Sequence, residues 1–423
     1  MKPEADAVGD GTTGLGVPPT TPAGLDSGWS ATLRRWWIIG ILVTLVASLL
    51  FFYRVIFTPG KFDVHGHVDM VLRFAEGEGG IPGNFLYYLL IYCLSGLQAE
   101  KEALWLAATA VLGFATAARF GLDFRIIGRC AGRAPGAVTA PNDPLPPLLV
   151  LALTAALTLS FSLPTLAVFD AKPHWYVGQT TPNIWHNSTT ILVMPFAIAL
   201  FWVSYRNLEQ PTRRRDLGIA VLCALNIIAK PSFFMVFAPT YTLMLIVRHG
   251  LCRETWIRTW PVVLGILTLA AQYYLTFAKQ VGNRYRGDSK LTIEPFEIWS
   301  HYSQNIPISI LASILFPLLH VVIHRGAIRR QPMLIYALAL YGVAITMMAL
   351  LAETGPRRWH ANFFWQSYIC SHLLFLATTG HLAHRLCQYS LGARERWLLG
   401  GLALHVLAGL AYLARMAIYH EIL

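Results

Sequence analysis

Asp63, His65, His67 and Asp69 crowd one short stretch, Lys61-Phe62-Asp63-Val64-His65-Gly66-His67-Val68-Asp69, with two carboxylates and two imidazoles. A carboxylate in partly desolvated surroundings suits general-base work on a hydroxyl, because burial raises its pKa toward the working pH. Asp63 is the first candidate base and Asp69 competes with it; the plainer reading of Asp63 is a solvated loop acid paired with Lys61. In an extended segment His65 and His67 point the same way and Asp63 and Asp69 share that face. That arrangement resembles a nitrogen and oxygen ligand set, but no further fixed ligand accompanies it. Acid/base or substrate contact is therefore expected, with no metal and no other cofactor.

Three more stretches concentrate polar chemistry. The segment Asp170 to Asn187 holds His174, Trp175, Tyr176, Gln179, Asn183, Trp185, His186 and Asn187. Arg284 and Arg286 precede Glu294, Glu297 and His301, and Glu353 to Gln366 contains Arg357, Arg358, Trp359, His360, Asn362 and Trp365. Guanidinium groups match two phosphate oxygens at once, so Arg357, Arg358 and Arg284 are candidate phosphate binders. Their alternative is a surface place beside lipid headgroups. The amides, histidines and Glu353 are suited to sugar hydroxyls. The tryptophans are suited to stacking on sugar rings, or equally to an interfacial aromatic belt. Asn187-Ser188-Thr189 is formally a glycosylation acceptor, but it abuts an apolar run. His381, His384 and His405 read as packing residues.

The elements that must position these residues are apolar. The chain has 423 residues, 55% hydrophobic and 13% charged, with a mean hydropathy of +0.50. A soluble domain carries about a quarter charged residues, so an ordinary soluble enzyme is excluded. Eleven apolar blocks, at about 36–57, 103–118, 145–169, 189–205, 217–229, 233–247, 259–278, 306–324, 333–352, 364–384 and 397–418, read as membrane-crossing helices. Residues 1–28, rich in Gly, Pro and Thr, read as a disordered cytoplasmic tail before one transmembrane domain, 29–423. The thirteen-residue run Phe85 to Leu97 is too short to cross and reads as an interfacial helix in the first external loop.

Arg34 and Arg35 before the first block place the N-terminus inside. With that start, 20 of the 33 basic residues and ten of the 22 acidic ones fall on the cytoplasmic side. The net charge of +11 is then a topological signal and no sign of a nucleic-acid partner. All four chemistry-bearing stretches fall outside. The blocks 217–229 and 233–247 form a short hairpin entering from the cytoplasm, with Lys230 at its tip. A cation at that depth is costly unless it faces a cavity or partner. The six cysteines show no paired spacing and imply neither disulfides nor zinc. Twenty-six Arg against seven Lys, with Ala-rich blocks, point to a GC-rich bacterium and hence its inner membrane.

This pattern resembles the GT-C superfamily of integral-membrane glycosyltransferases. The likeness rests on Asp63 just beyond the first block, His67 after it, the run Ile81-Pro82-Gly83-Asn84-Phe85-Leu86-Tyr87-Tyr88, the stretch Pro182 to Asn187, and Glu353 to Phe363. It implies an all-α membrane fold and transfer of a sugar from a polyprenyl-phosphate donor to a hydroxyl of a glycan, lipid or protein on the periplasmic side. It also implies Asp63 as base, His67 as its neighbour at the substrate or donor phosphate, and Arg357 or Arg358 as phosphate clamp. The large C-terminal soluble domain of many members is not expected after the last block. Runner-up readings are a polysaccharide polymerase or ligase using polyprenyl-diphosphate glycans, and a transporter or flippase of lipid-linked sugar.

Overall fold

The computed structural model describes residues 31–58, 62–132, 147–165, 177–275, 290–389 and 391–419. The tail 1–28, His174 and Arg284 lie outside them. Among the described residues the regular structure is helical apart from one short strand pair. In order the helices are α1 (Ala31–Ile56), α2 (Asp63–Ala75), α3 (Leu86–Leu94), α4 (Lys101–Ala131), α5 (Pro147–Leu159), α6 (Ser188–Glu209), α7 (Arg213–Ala229), α8 (Ser232–His249), α9 (Arg253–Arg258), α10 (Trp260–Tyr273), α11 (Glu297–Tyr302), α12 (Ile306–Ile323), α13 (Arg325–Ile328), α14 (Pro332–Leu350), α15 (Trp365–Gln388) and α16 (Ala393–Tyr419). Each of the eleven apolar blocks contains one of them. Seven of the described helices (α1, α4, α6, α8, α12, α14 and α16) are long and apolar enough to cross a membrane.

Helix α15 fails that composition test and yet is the best-buried long helix, covered by α4, α14, α8 and α12. Gln366, Ser367, Ser371, His372, Thr378 and Thr379 lower its apolarity, and all six are buried. It is a core helix that lipid never sees, so its polarity is free to serve the interior. Helix α1 is the opposite case: only 22% of its apolar window is buried, so the rest faces lipid. It lies on α4 through glycines, with Gly113 against Leu49 and Gly121 against Ile41.

Three expectations are corrected here. The block 103–118 continues as helix to Ala131, because the charges beyond it find partners inside: Arg119 packs with Asp123, and Arg125 lies over the Trp37 ring. Arg119, assigned to a cytoplasmic linker by sequence, is a buried core residue. The block 145–169 keeps its helix only to Leu159, where α5 ends against α16. The stretch after Asp63 is helical instead of extended. Val64, Val68 and Val71 are its buried residues, a 3.6-residue stripe that packs on the core and outweighs the alternating His-x-His pattern.

Helix α3 has nine residues, about 14 Å at 1.5 Å per residue, less than half of a hydrocarbon core. Helices α7 and α8, of 17 and 18 residues, reach about 26 Å and bring Lys230 to the Asp63 end of the bundle. The other polar stretches meet at the same end. The short strands β1 (Leu291–Ile293) and β2 (Leu351–Glu353) pair antiparallel, and Trp299 Nε1 donates to Gly178 O at 2.7 Å.

Backbone at the α5–α16 junction is in tight contact. A Cβ on Gly409 would stand 1.7 Å from Leu159 O. Gly409→Ala is therefore expected to cost at least about 3 kcal/mol, since overpacking against backbone has no flexible side chain to give way. Gly400, with nothing within 4 Å of its Cβ position, is the control. Thermal unfolding in detergent should separate Gly409→Ala from an unperturbed Gly400→Ala.

Candidate functional site

Helicity of α2 decides the first question. Asp63 and His67 stand four residues apart on one face, and His67 Nε2 donates to Asp63 Oδ2 at 2.8 Å. The ring's other nitrogen, Nδ1, lies 2.7 Å from the Tyr88 hydroxyl of α3. His65 turns the other way, 2.9 Å from Ile56 O and against the Trp105 ring. Asp69 is exposed to solvent. The shared face expected for both acids and both histidines does not form, and Asp69 is no part of the cluster.

Three distant segments complete the arrangement. Asn187, the cap of α6, accepts from Thr190 N at 3.0 Å and donates to Asp63 Oδ2 at 3.1 Å. Its oxygen also accepts from Lys230 Nζ at 2.9 Å, and Thr189 Oγ1 takes a second Lys230 hydrogen at 3.1 Å. The ammonium stands 4.2 Å from the centre of the Trp365 ring, a cation–π contact. His186 is next in line, its Nδ1 3.1 Å from the Tyr412 hydroxyl. An acid, an imidazole, an amide and a cation thus converge from α2, the segment before α6, and the α7–α8 turn. Lys230 is buried, whereas the Asp63 side chain keeps 34% of its surface open. The carboxylate is open to solvent.

Electrostatics reverse a second expectation. Burial pushes the Asp63 carboxyl up, as the sequence implies, but His67, with its charge and hydrogen bond, and then Lys230 and His186 outweigh it. The net shift is below the ordinary carboxylate value. Asp63 is held ionised. Burial, opposed by Asp63 and helped by Lys230, pushes His186 down to about 4, so it is neutral at physiological pH. Tyr88 is pushed up by burial and then by Asp63 and stays a hydroxyl.

Arg357 and Arg358, the expected phosphate clamp, are engaged with acids. Arg358 Nη2 contacts Glu294 Oε2 at 2.6 Å and Glu297 Oε1 at 3.1 Å, and Arg357 Nε lies 3.5 Å from Glu353 Oε2. Glu353 also accepts from Asn362, while His360 is exposed. These residues hold the β1–β2 region together with α11. Arg-rich and acid-rich loops read as clamps from sequence because their mutual pairing is invisible there.

The segment 177–187 is likewise structural over most of its length. Gln179 donates to Leu163 O at 2.9 Å. Asn183 donates to Leu157 O at 2.8 Å and Ser160 O at 2.5 Å. Trp185 stacks on Phe161. Only its end, His186 and Asn187, reaches the Asp63 cluster. Asn187 is 8% exposed and fully engaged, which removes the glycosylation reading. Trp365, assigned to sugar stacking by sequence, has Lys230 over its ring.

Sequence reasoning missed Tyr88, Thr189 and Tyr412, and a buried group of Arg119, Asp123 and His372 in mid-bundle. The last had a signal: an Arg and an Asp four residues apart inside an otherwise apolar helix. Among the described residues no group of three or more His, Cys, Asp or Glu is arranged to hold a metal ion. Compared with protein-family models and with curated proteins, the chain matches none.

Proposed function

We propose that the chain is an integral-membrane glycosyltransferase that moves a sugar from a polyprenyl-phosphate donor to a hydroxyl of a glycan, lipid or protein. The observation that carries this reading is the convergence of an open, ionised carboxylate with a buried lysine at one end of the bundle. The acceptor O–H gives its proton to Asp63 as its oxygen attacks the anomeric carbon. The bond from that carbon to the phosphate oxygen breaks, and its electron pair leaves with polyprenyl phosphate. Lys230 meets the negative charge that grows on the leaving phosphate. His67 and Asn187 fix the orientation of the carboxylate.

Donor binding also answers the low pKa of Asp63. A phosphodiester beside Lys230 draws the ammonium from Asn187 and adds a negative charge, so the carboxylate becomes a stronger base when the donor is present. Lys230 is the cation at this site among the described residues. One cation suits a phosphodiester better than a diphosphate, which weighs against the polymerase or ligase reading. The transporter or flippase reading draws on the mid-bundle Arg119, Asp123 and His372, a costly group in a membrane.

In this reading the site faces the periplasmic side of a bacterial inner membrane, with eleven spans, α3 in the outer interface and the N-terminus inside, as the basic linkers suggest. A cysteine at Trp359 should then react with an impermeant thiol reagent in intact cells, and one at Arg214 only after lysis. The function itself is tested with full-length protein in vesicles and a radiolabelled polyprenyl-phosphate sugar. Release of polyprenyl phosphate with transfer of label to an acceptor supports the reading. Translocation of intact donor without bond cleavage would sink it and favour the flippase.

A further inference from the structure

We propose that Arg119, Asp123 and His372 are positioning residues: a clamp in mid-bundle that grips Asn183 and so sets Asn187 between Asp63 and Lys230. The inference rests on the reading of the Asp63 cluster as the reactive site.

Arg119 is 4% exposed and Asp123 and His372 are fully buried. Asp123 joins the other two, with Oδ2 3.8 Å from Arg119 Nε and Oδ1 3.2 Å from His372 Nε2. Such a group in a membrane bundle is costly, and apolar residues of similar size would pack at least as stably. Its contacts show what it holds. Arg119 Nη2 donates to Asn183 Oδ1, and His372 acts on it through Asp123. With both amide hydrogens on Leu157 O and Ser160 O, Asn183 has one orientation in which all its polar atoms are satisfied.

The segment needs such a grip. Residues 179–187 are buried but belong to no helix or strand, so no repeating backbone ladder fixes their register. Side chains do it instead. Thr180 N donates to Ser313 Oγ at 2.8 Å, beside the α12 kink at Ile314, and Thr180 Oγ1 is 2.7 Å from the Tyr341 hydroxyl. Asn183 is the last hydrogen-bonded anchor before His186 and Asn187, with Trp185 stacked on Phe161 between them. A four-residue extended stretch spans at most about 14 Å, so a slip at Asn183 is passed directly to Asn187. Asn187 then loses its double contact with Asp63 and Lys230.

The test reads Lys230 itself and needs no turnover. Full-length protein in detergent is reductively methylated with formaldehyde and cyanoborohydride, and the labelling rate of Lys230 is followed by mass spectrometry against exposed Lys101 and Lys290. In Asn183→Ala, and in the apolar triple variant Arg119→Met, Asp123→Leu, His372→Leu, Lys230 should label about tenfold faster, the equivalent of one hydrogen bond to a charged group. Lys101 and Lys290 should be unchanged, and the triple variant should melt near the wild type. Arg119→Lys, which keeps a cation to donate to Asn183, should retain the protection. Unchanged Lys230 labelling in folded Asn183→Ala overturns the clamp, as does equal acceleration at all three lysines, which marks general loosening. If the wild type transfers no sugar, the transferase reading falls while this comparison still decides the clamp.

Discussion

Asp63→Asn is expected to lower sugar transfer by about 10²–10⁴-fold, the usual contribution of a general base, while Asp69→Asn stays within about twofold. Asp69 competes with Asp63 in the sequence, but the two acids occupy different places on α2. Asp63 shares hydrogen bonds with His67 and Asn187, and Asp69 points into solvent. Asparagine keeps the shape and can still accept from Asn187 or His67, so folding should survive and the loss should appear in turnover. The pH profile gives an independent reading. The folded carboxyl lies below its ordinary value, so the base form is present above that value and disappears only as pH falls through it. The acidic limb of the rate for free enzyme and substrate should lie below about pH 4, the unperturbed Asp value. Equal losses in the two variants, or an acidic limb near pH 6, would refute Asp63 as the base.

Replacement of Lys230 by Met is expected to reduce turnover by about 10²–10³-fold, the range found when one preorganised electrostatic contact to a developing charge is removed. A phosphodiester carries one negative charge before reaction, and the departing phosphate carries more. Lys230 therefore contributes to donor binding and contributes more to the transition state, so kcat should fall further than KM rises. A second consequence follows at Asp63. Lys230 is one of the groups that hold that carboxyl down, so the acidic limb of the residual activity should move to higher pH. A rise in KM alone, with kcat and the limb unchanged, would reduce Lys230 to a docking contact. Arg358→Ala provides the contrast. Arg358 is engaged with Glu294 and Glu297, so its loss should loosen the β1–β2 region and leave the chemistry intact. Activity lost there but kept in both aspartate variants would instead point to a ligase built on external arginines.

The sequence by itself determined that the chain has the apolar helices of a membrane protein, one in each of eleven blocks, and which linkers hold the chemistry-bearing residues. These are one-dimensional properties: apolar run length against bilayer thickness, and the sign of the charges between runs. It also singled out Asp63, His67 and Lys230, because an acid beside an apolar run and a lysine inside a short hairpin are both costly where they stand. The tertiary structure decided which of these residues act together. Asp63 and Asn187 are 124 positions apart, and Asn187 and Lys230 are 43 apart, so no local pattern encodes their contacts. The choice of Asp63 over Asp69 followed from a valine stripe that makes α2 a helix, a packing effect that the His-x-His spacing concealed. Arg357 and Arg358 look available in a linear reading and are neutralised by acids that only folding brings near. Arg119 looks like a linker charge and becomes a core residue, because Asp123 one turn along α4 and Asn183 from a distant segment compensate its burial. Local cost marks a residue as one that needs a partner, and only the fold supplies the partner.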